Sequence, residues 1–253
     1  NLPEGIFVRD CGRSRIEGGY LERFALGRPG TGDSVPAILV SPLPLRDRGP
    51  VTLLLHPAGK GAGWRGERLP RLVAALLGRG QQVLAVDLFG TGEARPPEEV
   101  AAGEIHHFFT YNRTPAANQV QDIMTALAFA RQTGGGPANL LALKGTGVAA
   151  LLARALAPRV GNACLSLASF AFDDRSWLRH CFVPGVRSAG DVRTAVALAA
   201  PGRLFLHGAG PGFPAAWARK AYRAAGRPRS LRLSPRSAPL AEMVRWTTAV
   251  SRG

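Results

Sequence analysis

The chain has 253 residues, 46% of them hydrophobic, enough to bury a sizeable core in one large domain or two small ones. No run of about 18 apolar residues is free of a charge or a turn former, so no transmembrane helix is expected. The formal charge of +15 raises nucleic acid or another polyanion as a partner.

The charge has a compositional explanation. Only three of the 32 basic residues are lysines (Lys60, Lys144 and Lys220), and the arginines sit in a background rich in Ala, Gly, Leu and Pro. From Val192 to Gly253 there are eleven basic residues and one acidic residue, Glu242, but aromatics do not interleave as on a base-stacking surface. Arg219, Lys220, Arg223, Arg227, Arg229, Arg232 and Arg236 are therefore expected to scatter, and nucleic acid is not the expected partner. Cys11, Cys164 and Cys181 show no C-x-x-C spacing and are odd in number, so neither a closed disulfide set, a metal nor a redox cofactor is expected. The chain opens on Asn1 with no charged segment followed by an apolar one, which reads as a processed chain or a domain of a longer one.

Apolar runs then alternate with helical patterns. Tyr20–Leu26 and Pro36–Val40 form an expected hairpin around Arg28-Pro29-Gly30-Thr31-Gly32-Asp33. A strand over Val51–Leu55 precedes a helix over Arg68–Leu77, with apolar residues at Leu69, Leu72, Val73, Leu76 and Leu77 and Gly78 and Gly80 at its end. The order continues as strand Gln82–Leu88, helix Ala116–Arg131, strand Asn139–Leu143, helix Val148–Leu156 and strand Ala163–Ala168. Helix Asp191–Leu198, strand Arg203–His207, helix Ala215–Ala225, strand Ser230–Leu233 and helix Leu240–Val250 complete it. Such alternation predicts parallel β-α-β units in one α/β domain over residues 1–253, with a mostly parallel central sheet, helices on both faces and an antiparallel hairpin at the start.

The strand-turn-helix NLLALKGTGVAALLARALA (Asn139–Ala157) carries most of the chemical information. Gly145-Thr146-Gly147-Val148-Ala149-Ala150 matches the dinucleotide fingerprint G-x-G-x-x-A. The acidic residue expected about 20 positions later is missing, and at least three strands precede this one, so nucleotide binding is not expected. The same stretch has the shape of a nucleophile elbow, a strand running into G-x-S-x-G at a helix start. In that register Thr146 takes the serine's place, Lys144 and Val148 take the outer small-residue places, and Gly147 keeps the tight turn.

Four further segments add to this likeness: LLLHPAGKG (Leu53–Gly61), VLAVDLFGTGEA (Val83–Ala94), FFTYNRTPAANQVQDIMTALAFAR (Phe108–Arg131) and PGVRSAGDVRTAVALAAPGRLFLHG (Pro184–Gly208). In this order, from about Pro36 to Trp246, the chain resembles the α/β-hydrolase superfamily, in its acetyl xylan esterase and dienelactone hydrolase-like branch. The resemblance implies the α/β-hydrolase fold, a carboxylic-ester hydrolase ancestry and a small-molecule or carbohydrate ester-like ligand. It implies no cofactor and no metal.

Ester hydrolysis in that family needs a hydroxyl nucleophile, a histidine base and a carboxylate. The nucleophile position at Thr146 carries a β-branched residue, disfavoured at the positive φ of an elbow. The loop after Arg203–His207, where the family's acid lies, reads Gly208-Ala209-Gly210-Pro211-Gly212, and the loop before the last helix has no histidine. Asp173 or Asp174 with His180 is the remaining candidate for an improvised acid and base. On the oxyanion side, His56, Ala58, Gly59 and Gly147 are expected to keep backbone donors aimed at one pocket, with Lys144 and Arg113 at its edge favouring an anion. His106 and His107 are adjacent, which keeps both rings from sharing one face of a strand. His207 is expected to be packed or capped. The expectation is a catalytically degenerate accessory or binding domain, with an active esterase using unconventional residues and a polyanion binder as alternatives.

Overall fold

The computed structural model describes residues 5–44, 49–64, 68–95, 111–157, 159–168 and 170–250, and His106 and His107 lie outside them. The strands are β1 (Phe7–Ile16), β2 (Gly19–Gly27), β3 (Val35–Pro42), β4 (Val51–Leu55), β5 (Gln82–Val86), β6 (Asn139–Ala142), β7 (Ala163–Ser166), β8 (Leu204–His207) and β9 (Leu231–Ser234). Among them run helices α1 (Arg71–Leu77), α2 (Pro115–Gly134), α3 (Gly147–Leu156), α4 (Asp174–His180), α5 (Asp191–Ala199), α6 (Ala215–Ala224) and α7 (Leu240–Thr247). All nine strands join one sheet in the order β1-β2-β3-β5-β4-β6-β7-β8-β9. The pairs β1–β2, β2–β3 and β3–β5 are antiparallel, and every pair from β5–β4 onward is parallel.

Helices on both faces explain why the parallel strands are apolar throughout. Every residue of β4, β5, β7 and β8 is buried, which removes the alternation a one-sided sheet would show. One core layer lies between the sheet and α2, α3, α5 and α6, and the other lies under α1 and α7. Local signals set the helix ends. Thr114 caps α2 by accepting from the Ala117 N–H at 3.2 Å, Pro115 starts it, and Gly135 at φ 65° ends it in the left-handed region.

The α/β-hydrolase architecture expected from the sequence is present, with β6 in the middle of the sheet. Two elements depart from the expectation. The antiparallel part has three strands, because β1 precedes the hairpin. Its residues are mostly exposed and its register shifts between Asp10 and Arg13, so it carries no buried alternation to read. Helix α4 falls in what read as a loop, since its seven residues bury only Trp177.

The close approach of α3 to β7 depends on one residue. A Cβ on Gly147 would overlap the Ser166 carbonyl oxygen, so only glycine lets the first turn of α3 rest on the neighbouring strand. Arg154, buried on the same helix, donates to the carbonyls of Ala157 at 3.1 Å and Ala199 at 3.3 Å, placing a cation where α3 and α5 end. Gly147→Ala should lower unfolding stability by roughly 2–4 kcal/mol in urea titration. Gly136→Ala, where an added Cβ meets nothing, should change it by less than about 0.5 kcal/mol.

Candidate functional site

The sheet itself says where a site belongs. The chain moves outward from β4 to β5 and returns to the other side of β4 with β6, so the strand order reverses between β4 and β6. Ligands of open α/β sheets bind beyond the carboxyl ends of the strands at such a switch point. The two loops that meet there are His56–Lys60 after β4 and Lys144–Thr146 after β6.

The turn after β6 is an elbow shifted by one residue from the sequence reading. Gly145 takes the left-handed conformation at φ 63°, whereas Thr146 is helical at φ −89° and ψ −9°. Thr146 is also buried, and its hydroxyl donates to the Leu143 carbonyl at 2.6 Å. The side chain expected to project as nucleophile is thus turned back into the turn, and the position that projects carries no side chain. The signal was present in Lys144-Gly145-Thr146-Gly147, because glycine alone adopts positive φ without cost.

The loop after β4 differs from the expected oxyanion loop for a related reason. The Ala58 N–H donates to His56 Nδ1 at 3.0 Å, and the Gly59 N–H donates to the His56 carbonyl at 2.9 Å. Both amides expected to face a ligand are taken up inside the turn. Lys144 stands close enough to His56 that, after burial, its charge is the second cause holding that imidazole below its ordinary pKa. Gly147 opens α3 with no side-chain cap. His56, Lys144 and the helix start therefore do come together. The cavity beside them, bordered by His56, Gly59, Lys60 and Leu143, holds only about 60 Å3.

The remaining candidates are elsewhere. Asp173 caps α4 by accepting from the Ser176 N–H at 2.7 Å, and Asp174 pairs with Arg187 at 2.7 Å. His180 ends the same helix, seven residues or about 10 Å beyond Asp173, so these groups form no dyad. Arg113 lines a groove among α2, α3 and α5 rather than the elbow. Of the C-terminal cations, Arg219 and Arg223 share a groove of about 180 Å3 between α6 and β9. Arg232 instead pairs with Glu242 and stacks over Phe205.

Beyond β7 and β8, where an acid and a histidine would meet, the space is filled. Phe170 packs on Phe172 and Trp177 at ring distances of 4.9 and 5.1 Å, and Phe172 packs on Phe213 at 5.4 Å. A Cβ on Gly212 would overlap the Ala171 carbonyl, which shows how tightly the two loops join. His207 closes β8, where its Nδ1 accepts from the Ala238 N–H at 3.2 Å. Its Nε2 is buried without a partner among the described residues, and burial holds the imidazole below its ordinary pKa.

Sequence reasoning also passed over the residue that organises this edge. Asp87, at the end of β5, accepts from the Lys60 N–H at 2.6 Å, the Glu93 N–H at 2.9 Å and Lys60 Nζ at 2.6 Å. Its readable trace was D-x-x-G-x-G, since a Cβ on Gly92 would overlap the carboxylate. A second carboxylate, Asp122 on α2, accepts from the Phe89 N–H at 2.8 Å while Gln119 donates to the Phe89 carbonyl at 3.0 Å.

No protein family and no curated protein sequence matches the chain. Solved structures do. A protein from Bacteroides fragilis assigned as an acetyl xylan esterase superposes with TM-score 0.70 at 15% identity, over 90% of this chain and 68% of that one. A glucuronoyl esterase from Solibacter usitatus gives 0.60 at 15% identity, over 88% and 75%. A cold-adapted esterase from an Arctic intertidal metagenomic library gives 0.57 at 18%, over 94% and 95%. With the sheet order and the elbow after β6, these likenesses establish an α/β-hydrolase-fold protein.

Burial, with the nearby Asp33 charge, lifts the Asp122 carboxyl from the ordinary 3.8 to about 6. The folded chain then holds this proton more tightly than the unfolded chain, so this group's contribution to stability falls as pH rises from 3.8 to about 6. Asp122→Asn keeps an acceptor for Phe89 and removes the buried charge. It should raise thermal stability at about pH 8, by at most about 3 kcal/mol, with the gain shrinking at about pH 5.

Proposed function

We propose that this chain is a catalytically degenerate relative of carboxylic-ester hydrolases, acting as an accessory or binding domain rather than by serine-type hydrolysis. The observation that carries the reading is Gly145. A covalent mechanism needs a hydroxyl at the elbow's projecting position, and that position has only a hydrogen. The other parts agree. No carboxylate follows β8 among Gly208–Gly212, and His207, at the end of β8, takes a backbone N–H on Nδ1 and packs against Phe205.

What remains at the switch point favours binding over reaction. Lys144 and the uncapped start of α3 present positive potential near a very small cavity bordered by His56. Such a surface suits the carbonyl or carboxylate of a small-molecule or carbohydrate ester-like ligand, the class suggested by the names of the structural neighbours. Domain organisation follows the same reading, with residues 1–253 forming one α/β-hydrolase-like unit.

Incubation with a fluorophosphonate probe, read by intact mass, should give no adduct. Hydrolysis of short acyl esters should equal that of the Thr146→Ala variant and of buffer. A stoichiometric adduct mapped to Thr146, lost in Thr146→Ala while the fold is kept, would establish the active-esterase reading instead.

A further inference from the structure

A broad apolar depression lies away from the elbow. Three helices on one face of the sheet, α2, α3 and α5, leave between them a groove of about 570 Å3, within the range of small-ligand sites. Val120 and Met124 form one wall, Leu152 and Leu156 the second, and Val186 and Leu198 the third. Leu156 and Leu198 are 48% and 56% exposed, so apolar rims face water on both sides. Single exposed leucines are ordinary, but leucines converging on one groove mark a binding surface.

Charge decides what kind of ligand fits. Arg113 lines the groove just before the cap of α2 and makes no ion pair with any described residue. The positive end of the 20-residue α2 macrodipole lies beside it. The acid on the lining, Asp191, is already held by Arg187 at 3.2 Å and Arg193 at 3.1 Å, so among the described lining residues no free carboxylate remains to attract a cationic group. An apolar trough with a guanidinium at the start of α2 that pairs with no described residue matches an alkyl chain ending in a carboxylate. We infer that the α2–α3–α5 groove binds a single-chain alkyl carboxylate, its tail against Met124, Leu152 and Leu198 and its head at Arg113.

This inference does not depend on the state of the elbow, and it is tested separately. Dodecanoate below its micelle concentration, titrated calorimetrically into the full chain, should bind saturably with one site per chain. Hexanoate should bind at least about tenfold more weakly, having lost apolar contact, and dodecylammonium should show no saturable binding. Arg113→Gln should weaken dodecanoate about tenfold, and Leu198→Glu, which places an anion on the exposed rim, by at least as much. Arg219→Gln, on the separate α6–β9 groove, should leave it unchanged. Ala155→Trp should fill the trough and abolish binding, and if that variant fails to fold, Arg113→Gln and Leu198→Glu decide. Absence of dodecanoate binding, equal binding of dodecylammonium, or indifference to both variants would overturn the inference. So would a concentration-dependent dimer dissociated by Leu198→Glu, which would place a second copy of the chain on this face.

Discussion

A carboxylate taken out of water must be met by donors, and Asp87 imposes that requirement on the edge of the sheet where the site lies. It is 1% exposed, at the end of β5, and its oxygens accept two backbone N–H groups and the Lys60 ammonium. Lys60 reaches on to Glu93 at 2.7 Å, so one charge network ties the loop after β4 to the loop after β5. Removing one partner of such a buried pair typically costs about 3–5 kcal/mol, which explains why these loops keep one path. The glycines at 59 and 92 follow from the same constraint, because a Cβ at either would occupy the carboxylate's space.

That fixed framework also sets the path of the neighbouring turn. The elbow turn persists because strand β6 must pass into helix α3 and because Gly147 must lie on Ser166, both packing requirements. Neither requires a hydroxyl. At Gly145 the backbone demand for positive φ is met by the residue that meets it most easily. His56 gathers the loop amides, and the aromatic cluster from Phe170 to Phe213 fills the region above β7 and β8.

Several of the arginines are likewise placed by local packing. Arg154 serves two helix ends inside the protein, Arg203 lies over Trp246 at 4.5 Å, and Arg13 lies over Tyr20 at 4.0 Å. Guanidinium planes stack on rings and fork to carbonyls, which a lysine ammonium does less well. Arg113 stands apart because apolar walls meet beside it and it forms no ion pair with a described residue.

By itself the sequence determined the architecture. Continuous apolar runs such as VTLLL and LFLH specify strands covered on both faces, and amphipathic stretches between them specify the crossover helices. It also carried the ordered segments on which the likeness to α/β-hydrolases rests, since that is a matter of residue identity along the chain. Tertiary structure alone decided which residue of Lys144-Gly145-Thr146-Gly147 stands at the projecting position, because φ at a turn is set by the strand and helix it joins. It decided that the Ala58 and Gly59 amides turn inward, that Asp173 and His180 stand two helical turns apart, and that Arg113 belongs to a groove on another face. Each of these depends on the path the packed elements impose on a turn, a loop or a groove, and periodicity along the sequence carries no record of it.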